Sequence, residues 1–278
     1  FSAPGKQPDE AELLRLLPGC VGMLAGVEKI SANVLEAAKD LQVISRNGVG
    51  IDNIDGDTAE RLNIKIMRTI GANARGVAEL AIGFLFCGIR FIPYSDRKMK
   101  AGEWSRKKGI EIDGRTLGLI GCGQIGKIVA QMALGVGMHV IAYDLYPDTS
   151  FHPSPNFSFL SFDEVLERSD VLSLHCPAPK DGKPVIDQAA IAAMKKGSYL
   201  INTARAALID EEAVLEGLQS GQLARFATDV YRTEPPEASP LLSHEKVIIT
   251  PHIGGFTIES VDNATRMAVE NLLECLKG

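Results

Sequence analysis

The chain has 278 residues, with 29 Lys and Arg against 35 Asp and Glu, a formal net charge of −6, and it is 45% hydrophobic and 23% charged. Those values lie near globular averages and exclude wholesale disorder, and the length allows one large or two ordinary domains. The acidic balance argues against a general nucleic-acid binder, because a phosphate backbone selects a basic face.

The basic clusters Arg97-Lys98-Met99-Lys100 and Arg106-Lys107-Lys108 are short and read as solvated faces. Five cysteines (20, 87, 122, 176 and 275) are odd in number and lack CxxC spacing. That pattern fits a reducing compartment better than a disulfide framework, and no metal site is visible in it. The longest uncharged apolar stretch, residues 80–89, is about half a membrane span. No signal-peptide pattern stands at the start, so the expectation is a cytoplasmic protein without a membrane partner. The chain opens on Phe1 rather than Met, as a processed or partial chain would.

Short β-branched runs alternate with amphipathic stretches throughout, which predicts an α/β fold with parallel sheets flanked by helices. In the first part, strands are expected at 20–24, 42–45 and 65–67, with helices at 9–17, 32–41 and 57–62 between them. The glycines of Arg46-Asn47-Gly48-Val49-Gly50 follow a strand directly and imply a tight backbone path. One long helix is expected from Arg75 to about Lys100. It is apolar at Leu80, Ile82, Phe84, Leu85, Phe86, Ile89, Phe91 and Ile92, and so needs burial on more than one side.

A second series of elements starts at Thr116. Strands are expected at 116–120, 139–143, 171–175, 199–202, 226–230 and 247–250. Helices are expected at 125–136, 162–168, 188–194, 211–220 and 258–277. Ser161 and Glu164 have capping-box spacing, and Asp210 precedes the acidic pair Glu211-Glu212, whose charges suit a helix N-terminus. Each series is long enough for a domain, so two α/β domains are expected.

The strand at 116–120 runs into Gly121-Cys122-Gly123-Gln124-Ile125-Gly126, which opens a helix, and the next strand ends in Asp144, 18 residues past Gly126. A GxGxxG string alone is weak, but this strand–turn–helix context is that of a Rossmann dinucleotide fingerprint. In it Gly121 makes the turn, Gly123 lets backbone approach a pyrophosphate, and Gly126 permits close helix–strand packing. The phosphates would meet free N–H groups at the positive end of the helix dipole. Asp144 would accept hydrogen bonds from the adenosine ribose and repel a 2′-phosphate. Leu145-Tyr146-Pro147 supply no arginine to neutralise one, so NAD is expected over NADP.

Three later segments repeat one form, a strand end carrying polar residues: Asn202-Thr203-Ala204-Arg205, Asp229 through Glu234-Pro235-Pro236, and Thr250-Pro251-His252-Ile253-Gly254-Gly255. Ligands of open α/β sheets bind beyond the carboxyl ends of strands, so the three should face one crevice. Taken in order, these motifs make the chain resemble the D-isomer-specific 2-hydroxyacid dehydrogenases over nearly its whole length, most closely the D-3-phosphoglycerate dehydrogenase branch.

The resemblance implies an Arg–Glu–His site carried by Arg205, Glu234 and His252. Arginine's planar fork suits a carboxylate beside the reacting carbon. Histidine can take the hydroxyl proton during oxidation and return it during reduction. Glu234 would fix the imidazole tautomer and favour imidazolium, an anion beside a developing cation. By the same resemblance Thr69, Gln124, Ile125, Cys176, Pro177, Thr203, Ala204, Asp229, Gly254 and Gly255 line the cofactor cleft, and Asn47, Gly48 and Val49 receive the substrate carboxylate. It further implies two Rossmann-like domains, a discontinuous substrate domain (1–73 and 255–278) and an inserted NAD-binding domain (74–254). A homodimer through residues 76–100 is implied as well. His139, His152, His175 and His244 read as structural or solvent-facing, although His175 lies at a strand end near the expected cofactor.

Family members usually begin with a strand ahead of the segment matching residues 1–6, so the chain is expected to be short at its N-terminus. It stops just after the last expected helix, so serine feedback through a regulatory appendage is not expected. Arg46, Arg68 and Arg75 fall in segments expected to edge the substrate cleft, and would suit a second anionic group on the substrate. That makes 3-phosphoglycerate and 3-phosphohydroxypyruvate the leading pair, with glyoxylate or hydroxypyruvate reduction as the alternative. A non-catalytic NAD(H) sensor, like the C-terminal-binding-protein corepressors, is a third reading, weakened by the absence of long interaction tails.

Overall fold

The computed structural model describes residues 7–277. The opening segment 1–6, on which the expectation of a missing first strand bears, lies outside the described residues. The chain divides into two compact units: one holds the residues through Asn73 together with those from Phe256 onward, the other is Ala74–Gly255.

In the first unit α1 (Glu10–Leu16), α2 (Ala32–Ala37) and α3 (Gly56–Arg61) start at side-chain caps from Asp9, Ser31 and Asp55, each accepting a backbone N–H in the first turn. Strands β1 (Gly22–Ala25), β2 (Val43–Arg46) and β3 (Lys65–Arg68) form a parallel sheet in the order β1-β2-β3. All four residues of β2 are buried, because helices cover it on both faces. On one side the core gathers Leu13, Val34, Leu35, Ile44 and Ala59. On the other lies α10 (Ile258–Lys277), fastened where the Ser45 hydroxyl donates to the Ala268 carbonyl at 2.7 Å.

The second unit is built on a seven-stranded parallel sheet. Its strands are β4 (Thr116–Ile120), β5 (His139–Tyr143), β6 (Phe157–Phe159), β7 (Val171–Leu174), β8 (Ser198–Asn202), β9 (Leu223–Thr228) and β10 (Val247–Ile249). Their order is β10-β9-β8-β7-β4-β5-β6, so the chain winds outward from β4 in one direction, then returns to wind in the other from β7. The carboxyl ends of β4 and β7 are therefore the topological switch point of a doubly wound sheet. Helices α6 (Gln124–Gly135), α7 (Phe162–Arg168), α8 (Gln188–Ala193) and α9 (Glu211–Ser220) form the crossovers. The capping box at Ser161 and Glu164 is present, and Asp210 accepts from the Glu212 and Ala213 amides.

Three expectations need correction. The single long helix is two, α4 (Ala74–Ile89) and α5 (Ile92–Lys100), bent by 64°. Phe91 at the break is left-handed at φ 57°, and Pro93 stands in the first turn of α5, where its missing N–H costs no helical bond. The Arg225 guanidinium lies 3.8 Å from the centre of the Phe91 ring and covers it. Second, β6 lies outside the expected strands; its signal is the alternation Phe157-Ser158-Phe159, whose aromatic rings meet edge to face at 5.1 Å. Third, β9 begins at Leu223 and ends at Thr228, ahead of the expected 226–230.

The excess apolar surface of α4 is spent inside its own unit. Ala78, Ala81, Phe84 and Leu85 join Leu117, Leu119 and Ala130 in one core cluster. Close packing demands glycine at Gly88, where an added Cβ would lie 2.3 Å from the Tyr199 ring, whose hydroxyl donates to the Phe84 carbonyl at 2.8 Å. No single helix is long and apolar enough to cross a membrane among the described residues.

Phe226 is fully buried in the second core cluster of this unit. Phe226→Ala is expected to destabilise the unit by roughly 3–5 kcal/mol, seen as a lower urea midpoint with the slope unchanged.

Candidate active site

The polar strand ends converge by register alone. Asn202 on β8, Thr228 on β9 and Ile249 on β10 are aligned across the sheet. Neighbouring strands lie about 4.8 Å apart, so the segments leaving these positions share one edge. Arg205 follows β8, Glu234 follows β9 and His252 follows β10.

Each of those segments has its own local scaffold. The buried Asn202 side chain donates to the Arg205 carbonyl at 2.9 Å and accepts from the Ala204 amide at 3.1 Å, shaping the turn that carries Arg205. Arg205 is half-buried, with Nη1 donating to the Ala204 carbonyl at 2.8 Å. His252 sits in the left-handed region at φ 53°, a conformation uncommon outside glycine and one that its surroundings hold in place. Asp229 does the holding. It is 1% exposed, and its carboxylate accepts from the Thr250 hydroxyl at 2.6 Å and from the Ile253 and Gly254 amides at 2.8 and 2.7 Å. Tyr231 adds a hydrogen bond from its hydroxyl to the Thr250 carbonyl at 2.6 Å.

Held in this way, the His252 ring turns Nδ1 to the Glu234 carboxylate, at 2.7 Å from Oε1 and 2.9 Å from Oε2. With Nδ1–H donating to the carboxylate, Nε2 is the nitrogen available for proton exchange. Both side chains are about half exposed, at 50% and 42%, so the pair is open to solvent and to a ligand.

The glycine loop occupies the switch point. A Cβ at Gly121 would lie 2.7 Å from the Cys176 nitrogen, and one at Gly126 only 2.3 Å from the Gly121 carbonyl oxygen. Gly123, at the N-cap of α6, presents bare backbone, since a Cβ there would meet no protein atom within 4 Å. Asp144 accepts from the Cys122 amide at 2.7 Å and the Tyr146 amide at 2.9 Å, which aims its carboxylate along the loop. The Thr203 hydroxyl is buried at the end of β8 with no hydrogen-bond partner. A dinucleotide fits this set: bare backbone and a helix N-terminus for phosphates, a carboxylate for a ribose, and an orphaned hydroxyl for a polar edge.

The neighbouring loop is uncharged. His175 bonds Ser173 through Nε2 at 2.9 Å, its Nδ1 is sealed without a partner, and burial pulls its pKa down to about 4. Burial likewise pushes Cys176 up to about 11, and burial followed by Asp144 pushes Cys122 up to about 12, so both remain thiols near neutral pH. Pro177 is exposed beside them, and Gln124 and Ile125 form the first turn of α6.

The remaining expected residues, Arg75 apart, lie in the first unit. Arg46 ends β2, is 9% exposed, and turns its guanidinium back onto the Asn47 carbonyl and against Gly48. The Thr69 amide donates to the Gly48 carbonyl at 3.1 Å, tying the end of β3 to the 47–50 loop, and Asn47 reaches Thr265 on α10 at 3.2 Å. Arg68 is exposed at the end of β3. Arg75, in the second unit, is 70% exposed and paired with Glu79 at 2.6 Å.

Sequence reading assigns Asp229 to the cofactor cleft and includes Asn202 and Tyr231 in the polar strand-end segments without a role of their own. In the fold all three brace the loops that carry Arg205 and His252. The available signal is a polar residue closing an otherwise apolar strand.

Residues 82–254 match the family model described as D-isomer specific 2-hydroxyacid dehydrogenase, NAD binding domain. The chain is similar to a hydroxypyruvate reductase of Thermotoga maritima, 40% identical over 91% of this chain and 83% of that protein. It is also similar to a D-3-phosphoglycerate dehydrogenase of Methanocaldococcus jannaschii, 39% identical over 90% of this chain; there it spans about half of the relative, 48% of its length. A crystal structure of a Thermus thermophilus protein superposes with a TM-score of 0.89 at 36% identity, covering 99% of this chain and 88% of that one.

Gly126→Ala is expected to abolish measurable NADH binding while leaving the chain folded, as tested by nicotinamide fluorescence beside circular dichroism. The neutral, part-buried His175 makes a second prediction. Its folded pKa of about 4 lies below the free value of 6.5, so the unfolded chain binds the extra proton between those limits. Stability should therefore hold above about pH 6.5 and fall by up to about 3 kcal/mol as pH drops toward 4. Urea unfolding across that range should show the loss, and His175→Gln should flatten it.

Proposed function

The chain belongs to the D-isomer specific 2-hydroxyacid dehydrogenase family, and on that premise we propose that it is an NAD-dependent oxidoreductase interconverting a D-2-hydroxy acid and its 2-keto acid. The observation that carries this reading is the Glu234–His252 pair, two carboxylate oxygens on Nδ1, on the sheet edge shared with Arg205 and the glycine loop.

Each residue has a distinct task. NAD, held by the Gly121–Gly126 loop and Asp144, supplies the hydride acceptor or donor when bound. Arg205 orients the substrate through its carboxylate, a planar fork on a planar anion. His252 Nε2 takes the proton from the substrate hydroxyl in oxidation and returns it to the carbonyl oxygen in reduction. Glu234 fixes the tautomer that leaves Nε2 unprotonated for the first of these steps, and stabilises the imidazolium that results. Asn47, Gly48 and Val49 supply loop backbone for the substrate carboxylate, and Thr69, Thr203, Ala204, Cys176, Pro177, Gly254 and Gly255 line the cofactor site.

On the substrate, the geometry favours a small 2-keto acid with one anionic group, such as hydroxypyruvate or glyoxylate. Of the three arginines expected to hold a second anion, Arg46 is buried against its own loop, while Arg75 stands in an exposed surface pair with Glu79. The 3-phosphoglycerate pair is the second reading, favoured by Arg68, which is exposed at the end of β3. A homodimer through residues 76–100 belongs to the same proposal. Ile92, Met99 and the nearby Trp104 are 49%, 55% and 79% exposed there, surface that a second copy would cover. The cytoplasm is its proposed compartment, consistent with five free cysteines.

NADH oxidation against hydroxypyruvate, glyoxylate and 3-phosphohydroxypyruvate tests both levels. Turnover is expected with the first two at a kcat/KM at least about tenfold above the third, a gap worth about 1.4 kcal/mol. A reversed order establishes the phosphorylated substrate, and tight NADH binding without turnover of any would favour a sensor. His252→Ala should cost about 10²- to 10⁴-fold in kcat with NADH binding retained.

A further inference from the structure

Lys127 follows Gly126 directly, in the first turns of α6, and its ammonium reaches the loop that leaves β5. There it meets Asp148 Oδ2 at 2.5 Å and lies 5.4 Å from the centre of the Phe151 ring. Asp148 is braced for this contact, since its other oxygen accepts from the Ser150 amide at 3.0 Å and the Ser150 hydroxyl at 2.5 Å. The Lys127 hydrogen bond, followed by those from Ser150, holds the Asp148 carboxyl down to about 2. The ion pair therefore persists at any ordinary assay pH.

Asp144 stands four residues earlier on the same loop, held by the Cys122 and Tyr146 amides. Two carboxylates and one ammonium thus share the space between the glycine loop and the β5 loop. Leu145, Tyr146 and Pro147 between the carboxylates bring no cation of their own.

We propose that Asp148 is a specificity-determining residue for the cofactor: by holding Lys127 it withholds the counter-charge that a 2′-phosphate on the adenosine ribose would need. The inference rests on Asp144 meeting that ribose. Asp144 repels the phosphate directly, and Asp148 keeps the neighbouring ammonium engaged. Discrimination between NAD and its 2′-phosphorylated counterpart is then a property of the Asp144–Lys127–Asp148 group and not of Asp144 alone.

Direct binding tests this on the full chain without substrate, by titrating NADH and NADPH and following nicotinamide fluorescence. Asp148→Asn keeps an acceptor for Ser150 and releases Lys127. It is expected to tighten NADPH binding about 5-fold at low salt while NADH binding moves less than about 2-fold. Adding Lys127→Gln to Asp148→Asn should erase the gain, and added salt should erode it. Asp148→Ala provides a second route to the same release. Unchanged NADPH affinity in both Asp148 variants with NADH binding intact would overturn the proposal, as would a gain that survives the double substitution. Failure of the unsubstituted chain to bind NADH would instead remove the ribose reading, and the proposal with it.

Discussion

A single buried carboxylate sets the backbone path of the 250–254 loop in the second unit. Asp229 spends its acceptor capacity on one hydroxyl and two amides of the 250–254 loop, and that loop alone carries His252. A carboxylate out of water is tolerated when hydrogen bonds replace its hydration, and three charge-assisted bonds provide that replacement. Their geometry leaves His252 at a positive φ, which directs its ring toward the segment bearing Glu234. The local strain of that backbone is offset by the bonds to Asp229.

The same logic of one group setting another recurs around the nucleotide loop. Glycine is required at Gly121 and Gly126 for opposite reasons of space: one lies against the 175–176 backbone, the other against the turn itself. Asp144 uses the Cys122 and Tyr146 amides to hold its direction. The thiols of Cys122 and Cys176 are kept protonated by their surroundings. They pack as small apolar groups beside a site that has no use for a nucleophilic sulfur.

The net charge of −6 describes the surface and says little of the clefts. Arginine is a candidate anion hook wherever it occurs in a sequence, yet a guanidinium folded onto its own backbone is a different object from an exposed one. Arg46 is folded onto its own loop backbone, and Arg75 stands in an exposed i,i+4 pair on a helix surface. Only their surroundings distinguish them from Arg68.

Much of the fold was legible because its signals are local. The glycine spacing after a β-branched run, the caps at Ser161 and Asp210, and the order of polar strand ends all follow from short-range sterics and hydrogen bonding, which the chain carries at every position. Hence the parallel α/β architecture and the glycine loop that opens α6 could be read directly, whereas Arg205, Glu234 and His252 were expected from a family resemblance. What required the tertiary structure depends on residues distant along the chain. The break at Phe91 is covered by Arg225, more than a hundred positions later. Asp229 braces a loop that begins some twenty residues on, and Lys127 finds its partner across a strand and a turn. Periodicity reports which face of an element is buried but not what lies against it, and the partner is settled only when the sheet order brings β4 beside β7 and β8, β9 and β10 side by side.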